Sequence, residues 1–349
     1  MGYNIPSSIK DDFASRLLAW WENNGRHDLP WQQDRSLYRV WVSEIMLQQT
    51  QVSTVIDYFN RFMARFPNLK RLAEAPLDDI LALWSGLGYY ARARNLHASA
   101  RHCMAHHGGE LPSSVSELLA LPGIGESTAH AIVAQALNRR APILDGNVKR
   151  VLARHAGIEG WPGRSAVLRQ LWEEADARTP HNRAADYTQA IMDLGATICT
   201  PKQPACMLCP VHQDCIARLE GRTSDLPGKK PKRERPLRES FFLVLRDDSG
   251  RVLLERRPSS GIWGGLWCLP EVQESDRPSG LMEAMSTIRH EFTHFSLNMH
   301  FIAATESSNK NRVADHQTKW FQPDQALKTG LPRPIRQVME QLADTIPTP

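Results

Sequence analysis

Residues 227–238, PGKKPKRERPLR, divide the chain into two parts that do not share one kind of fold. The segment carries six Lys or Arg against one Glu, three Pro, and no periodic apolar pattern, which predicts a solvated linker over 227–239. Before it, from about Asp11 to Asp225, apolar residues recur at helical spacing: Phe13, Leu17, Leu18 and Trp21, then Val40, Ile45, Leu47 and Val52, then Ile80, Leu81 and Trp84. Pro67, Pro76, Pro112, Pro122 and Gly157 break this stretch into short helices, so an all-α domain is expected over residues 1–226. After the linker, Phe241–Leu245 and Val252–Leu254 flank Asp247-Asp248-Ser249-Gly250, the pattern of two strands joined by a tight turn. Further strands are expected near Leu297–Ile302 and Thr318–Phe321, with helices at Gly280–Ile288 and Ile335–Ala343. Residues 240–349 are therefore expected to form a separate mixed α/β domain. The length of 349 residues suits two domains better than one hydrophobic core.

With 42% hydrophobic and 23% charged residues, the composition is that of an ordinary soluble globular protein. No run of 18 apolar residues occurs, and Met1–Lys10 lacks the basic and apolar regions of a signal peptide, so a cytoplasmic location without a membrane partner is expected. A formal net charge of +4 permits nucleic-acid binding without arguing for it, because charge must be localised to matter.

Four of the six cysteines, Cys199, Cys206, Cys209 and Cys215, fall close together with the spacing C-x6-C-x2-C-x5-C, while Cys103 and Cys268 stand apart. Such clustering predicts a metal site rather than disulfides. Four thiolates can enclose one zinc or one cubane cluster. A zinc ribbon uses two C-x2-C knuckles held far apart, which this segment lacks, so the spacing favours a 4Fe–4S cluster in the loop 199–215.

Upstream, Leu121-Pro122-Gly123-Ile124-Gly125 lies between two helical patterns. Gly123 and Gly125 permit a tight turn, and the first N–H groups of the following helix can then meet a phosphate oxygen. A plain interhelical turn has the same residues. Asp145, in Leu144-Asp145-Gly146-Asn147-Val148-Lys149-Arg150, is equally readable as a helix N-cap or as a carboxylate held at a helix N-terminus. Glu44, in Val42-Ser43-Glu44-Ile45-Met46-Leu47-Gln48-Gln49-Thr50, reads by itself as a helical surface residue.

Taken together, these segments resemble the helix-hairpin-helix DNA glycosylase superfamily. The motifs around Glu44 and Asp145, with an additional domain behind a basic linker, narrow the resemblance to the MutY adenine glycosylases across nearly the whole chain. The resemblance implies a six-helix barrel with an iron–sulfur module, one 4Fe–4S cluster, and a Nudix-like domain at the C-terminus. It implies that Glu44 is the acid that protonates adenine and later helps activate water. Asp145 would stabilise the cationic sugar, with Asn147 orienting it, as two carboxylates do in glycoside hydrolysis. Ser127 occupies the position where bifunctional relatives such as endonuclease III carry a Lys that attacks the sugar; a hydroxyl forms no Schiff base, so a monofunctional enzyme is expected. Lys149 would be the source of any weak residual lyase chemistry.

The same resemblance places Gln49 and Tyr89 as wedges in the duplex, Thr50 and Leu87 beside them, and Gly123, Gly125 and Lys149 on the DNA backbone. It implies an adenine pocket of Leu29, Trp31, Val52 and Gln189, although Leu29 and Trp31 read equally as core. Phe292-Thr293-His294 falls where the family shows Phe-Ser-His against the oxidised guanine. The carboxylate-rich Nudix box is missing from residues 264–291, so this domain is expected to recognise and not to hydrolyse. The implied partner is double-stranded DNA carrying an 8-oxoguanine:adenine or guanine:adenine mispair, bound by a monomer. A lyase for oxidised pyrimidines is opposed by Ser127, and a purely DNA-binding or redox protein by the Glu44 and Asp145 motifs.

Overall fold

The computed structural model describes residues 7–231, 234–272, 284–305 and 317–344. The first part of the chain is helical: α1 (Ser7–Asn24), α2 (Pro30–Gln33), α3 (Leu37–Leu47), α4 (Val52–Arg65), α5 (Leu69–Glu74), α6 (Leu77–Leu83), α7 (Ala91–His106), α8 (Val115–Leu119), α9 (Glu126–Leu137), α10 (Gly146–His155), α11 (Ser165–Arg178) and α12 (Ala184–Asp193). A π-helical turn at Leu194–Ile198, a 3-10 turn at Cys206–Leu208 and the short α13 (Ile216–Leu219) follow. Two compact units result, Met1–Ala73 with Ala98–Lys232, and Glu74–His97 with Arg233–Pro349.

In the helical unit, α4 shows why the periodic reading works. Val55, Phe59, Phe62 and Met63 repeat every three or four residues and are buried, forming one apolar stripe on a helix whose other faces are polar. Each fully buried Phe contributes roughly 1.5–3 kcal/mol relative to exposure. Phe13, Leu17, Leu18 and Trp21 of α1 join Val148, Val151 and Leu152 of α10, Leu171 of α11 and Ile191 of α12 in one core. On α3, Val40, Ile45 and Met46 are buried but Leu47 is not, because it faces a cleft rather than the core.

The second unit is built on a sheet of β1 (Leu237–Arg246), β2 (Val252–Arg256), β3 (Trp267–Cys268), β4 (Glu271–Val272), β5 (Ala284–Glu291), β6 (Ser296–Thr305) and β7 (Thr318–Phe321). The strand order is β3-β2-β1-β6-β5, with β4 on β1 and β7 on β2. β1 and β6 run parallel, from Leu237↔Ser296 to Arg246↔Thr305, and the other pairings are antiparallel. Alternation along β1 sends Phe242 and Val244 to one face and Leu243 and Leu245 to the other. The first face is covered by Ile335, Val338, Met339 and Leu342 of α15 (Arg333–Asp344), which follows the short α14 (Pro323–Ala326). The expected hairpin around residues 247–250 forms, closing at Arg246↔Val252.

Two differences from the sequence reading stand out. The helix expected at Gly280–Ile288 is a strand from Ala284 onward, while residues 280–283 lie outside the described residues. From Met285 to Glu291 the side chains alternate between exposed and half-buried, a period of two, and β5 pairs along its length with β6. Residues 74–97 also group with the C-terminal sheet instead of the helices that flank them in sequence. Arg94 Nη1 donates to Gly264 O at 2.5 Å, Arg256 pairs with Asp78, and Leu81 packs so close to Gly330 that an added Cβ there would stand 2.8 Å from the Leu81 Cβ. These contacts span 170 or more residues of chain and leave no local trace in the sequence.

Candidate active site

Ser36 caps α3 by accepting from the Arg39 N–H, and two turns further on Glu44 lines a cleft of about 370 Å³ in the helical unit. The same cleft is lined by Asp145, Asn147, Ser127, Lys149, Thr50, Leu29, Trp31, Val52 and Gln189, so ten residues singled out from the sequence meet in one place. Leu29 and Trp31 are also core residues, 4% and 2% exposed, so both readings of them hold. Arg26, Leu47, Gln48, Thr128, Leu144 and Met192 complete the lining and were not anticipated.

Asp145 is the N-cap of α10; its Oδ1 accepts from the Val148 N–H at 2.7 Å. The extended residues before it are held from α9, where Ser127 Oγ accepts from the Leu144 N–H at 3.1 Å. Asn147 bonds to Arg150, whose Nη2 donates to Asn147 Oδ1 and Gly195 O at 2.7 and 2.6 Å. Its contribution to Asp145 is instead a backbone N–H that favours the anion. Gly195 has no room for a side chain, since an added Cβ would stand 2.6 Å from Asn147 Cβ. Gly195→Ala is therefore expected to displace the first turn of α10 and lower stability by about 1–3 kcal/mol. A thermal melt with an unchanged midpoint would show that α10 yields freely.

The two carboxylates differ in their surroundings. Burial pushes the Glu44 carboxyl up to about 7, and the negative charge of Asp145 adds to the push, against a 2.8 Å hydrogen bond from Gln135 Nε2. Burial also raises Asp145, but the N–H groups of Val148 and Asn147 and the charges of Arg150 and Lys149 oppose it. The site thus sets a carboxyl pushed up to about 7 beside a second one whose charge is favoured by N–H groups and cations against its burial. Gln135 had a visible signal, a polar residue on the face of α9 that buries Ala131, Ile132 and Ala134. At the other wall, the fully buried Asp193 accepts from Trp21 Nε1, from Arg26 N, Nε and Nη2, and from Gln189 Nε2. Arg26 and Asp193 lie 167 residues apart, so this network has no sequence signature.

Other anticipated residues lie outside the cleft lining. Gly123 takes φ +80 in the exposed turn between α8 and α9, and Gly125 caps α9 with no side-chain hydrogen bond to its first N–H groups. Gln49 and Tyr89 are both held in the left-handed region, at φ +59 and +50, where residues other than glycine are strained. Tyr89 is 49% exposed, whereas Leu87 is 6% exposed and packs inward. In the second unit, residues 292–295 connect β5 to β6; Phe292 stacks on Phe295 and contacts Trp263 and His290, while Thr293 and His294 are exposed.

Cys199, Cys206, Cys209 and Cys215 line one small pocket with Arg154, and their charges act on one another. Among the described residues, no three His, Cys, Asp or Glu side chains stand close enough to share a single metal ion. A tetrahedral zinc, with Zn–S near 2.3 Å, requires sulfurs about 3.8 Å apart.

A helix-hairpin-helix turn, two carboxylates in one cleft, and a loop with four cysteines are the features of a DNA glycosylase of the helix-hairpin-helix class. Residues 42–177 match the HhH-GPD superfamily base excision DNA repair protein, and residues 241–341 match the NUDIX domain. A thermostable thymine-DNA glycosylase of known structure superposes with a TM-score of 0.56 at 27% identity, covering 61% of this chain and 98% of that one. An adenine DNA glycosylase of Buchnera aphidicola subsp. Acyrthosiphon pisum (strain APS) is 37% identical over 345 residues, 96% of this chain and 98% of the relative. The Homo sapiens adenine DNA glycosylase is 35% identical over 82% of this chain and 65% of its own length. The chain belongs to the adenine DNA glycosylase family.

Proposed function

We propose that this protein excises adenine from duplex DNA opposite 8-oxoguanine, and opposite guanine, by hydrolysing the N-glycosidic bond without cutting the strand. The observation that carries the reading is the meeting of Glu44 and Asp145 in one cleft, the first raised to about 7 and the second supported by N–H groups and cations. Adenine must leave the base stack to enter a cleft of this kind. There Glu44 gives its proton to N7, the glycosidic bond breaks, and positive charge on the sugar faces the Asp145 carboxylate. Glu44, now ionised, takes a proton from the water that attacks the sugar. Gln189 is held through its Nε2 by Asp193, which leaves its carbonyl oxygen as an acceptor for the adenine amino group.

Strand scission would require an amine on the sugar. Ser127 supplies a hydroxyl that is already engaged by the Leu144 N–H, and Lys149 is the cleft residue with an amine, which accounts for at most residual lyase activity. Gln49 and Tyr89 would enter the duplex, Thr50 and Leu87 would support them, and Gly123 and Gly125 would meet the phosphate backbone. Exposed Thr293 and His294, with Phe292 anchored in its aromatic cluster, are the proposed contacts to the oxidised guanine. Cys199, Cys206, Cys209 and Cys215 would hold one 4Fe–4S cluster, which when bound would cross-link the loop bearing Lys202 so that this loop can face a phosphate backbone.

The pH dependence has a definite sign. Only the protonated Glu44 donates, so base release should hold below about pH 7 and fall roughly tenfold per pH unit above it. Protonation of Asp145, above the usual carboxylate range, should give the acid limb. A single-turnover rate that climbs from pH 7 to 9 would remove Glu44 from the acid role. The reading as a whole is tested by single-turnover adenine release from duplexes bearing one 8-oxoguanine:adenine or guanine:adenine pair. Strand breaks that form only after alkali, and faster from the oxidised duplex, are expected. Release from neither duplex would leave a DNA-binding protein that keeps the fold without its chemistry.

A further inference from the structure

Tyr89 sits in a strained loop that lies in the helical part of the sequence but belongs to the second unit of the structure. Between α6 and α7, Gly86, Gly88 and Tyr89 all take positive φ, and only the last is not a glycine. Inside the loop, Trp84 Nε1 and Arg92 Nη2 both donate to Gly88 O at 3.1 Å, and the Arg92 guanidinium lies 5.4 Å from the Tyr89 ring centroid. The loop is tied at both ends to the segment 327–336 of the second unit. Tyr90 Oη donates to Leu331 O at 3.0 Å and stands 3.4 Å from the Gly86 N–H that it accepts from. Arg336 Nε donates to Ser85 Oγ at 3.2 Å while its Nη2 is fixed by Leu327 O at 2.8 Å. Tyr90 is nearly buried, at 9% exposure, whereas its neighbour Tyr89 stands in solvent.

A left-handed non-glycine residue persists only where its surroundings over-determine it, at a cost on the order of 1–3 kcal/mol. Here much of that determination comes from the Nudix-like domain. We propose that Tyr90 and Arg336 are positioning residues: through them the Nudix-like domain sets the placement of Tyr89, so that reading of the opposite base and insertion into the duplex are mechanically one event. The inference rests on the lesion preference and the wedge role of Tyr89 given above. It adds that specificity for the oxidised base travels through the 85–90 loop as well as through direct contact at residues 292–294.

The test uses the full chain with Tyr90→Phe, which removes only the hydroxyl, and Arg336→Gln. Two readouts separate failure of this link from failure of the functional reading. First, the ratio of single-turnover adenine release from 8-oxoguanine:adenine over guanine:adenine duplexes should fall about tenfold in the double variant, and should not fall further when Tyr89→Ala is already present. An unchanged ratio, or an equal fall in the Tyr89→Ala background, overturns the proposal. Second, with 3-fluorotyrosine incorporated, the Tyr89 resonance (assigned by Tyr89→Phe) should shift or broaden in Arg336→Gln without DNA present. A resonance that stays in place overturns the link whatever the enzyme's substrate proves to be.

Discussion

Glu44→Gln should abolish adenine release while leaving affinity for a mispaired duplex nearly unchanged. The amide keeps the size of the carboxyl and can still accept the hydrogen bond from Gln135 Nε2, so the wall of the cleft is preserved. What disappears is the proton, and with it the means of turning adenine into a neutral leaving group. A lost general acid typically slows such a step by about 10²–10⁴-fold, and in the proposed mechanism the same residue also serves the attacking water, so the loss should exceed that range. Single-turnover release together with a binding isotherm measures both quantities. Activity within tenfold of wild type would return Glu44 to the role of a helical residue that happens to face a cleft.

Asp145→Asn separates the two readings of Asp145 that the sequence left open. Asparagine caps a helix as well as aspartate does, so the Val148 N–H remains satisfied and α10 keeps its start. The substitution removes only the charge that the proposed mechanism sets against the sugar. A loss of more than about tenfold in base release, some 1.4 kcal/mol of barrier, is expected with an unchanged melting midpoint. A smaller loss would mean that Asp145 is a cap and little else.

How far the site was legible depends on how local each residue's job is. Asp145 announces itself because capping is a matter of three residues, and the cysteines because their ligand spacing is written in one loop. Glu44 was legible only through the whole motif around it, since one glutamate on an apolar helix does not reveal whether its side chain meets solvent or a closed cleft. Arg26, Gln135 and Asp193 were not legible in their roles, because each acts on a partner 90 or more residues away. The fold followed the same rule. The helix with a clean stripe expected at Ile335–Ala343 lies where periodicity places it, as α15, whereas the run from Val40 to Val52 is broken between Leu47 and Val52 into α3 and α4. β5 was misread as a helix because its short alternation of small and polar residues acquires meaning only against β6.

The grouping of residues 74–97 with the C-terminal sheet also bears on how the protein is made. Ser85 leaves the ribosome 251 residues ahead of Arg336. At roughly 5–20 residues per second, that gap is about 12–50 seconds of synthesis. Throughout it, the loop carrying Tyr89 has no partner in the segment 327–336, and the helical unit, which extends to Lys232, is synthesised before that segment appears. Vectorial synthesis therefore leaves the loop carrying Tyr89 without these ties until Leu331 and Arg336 have been added.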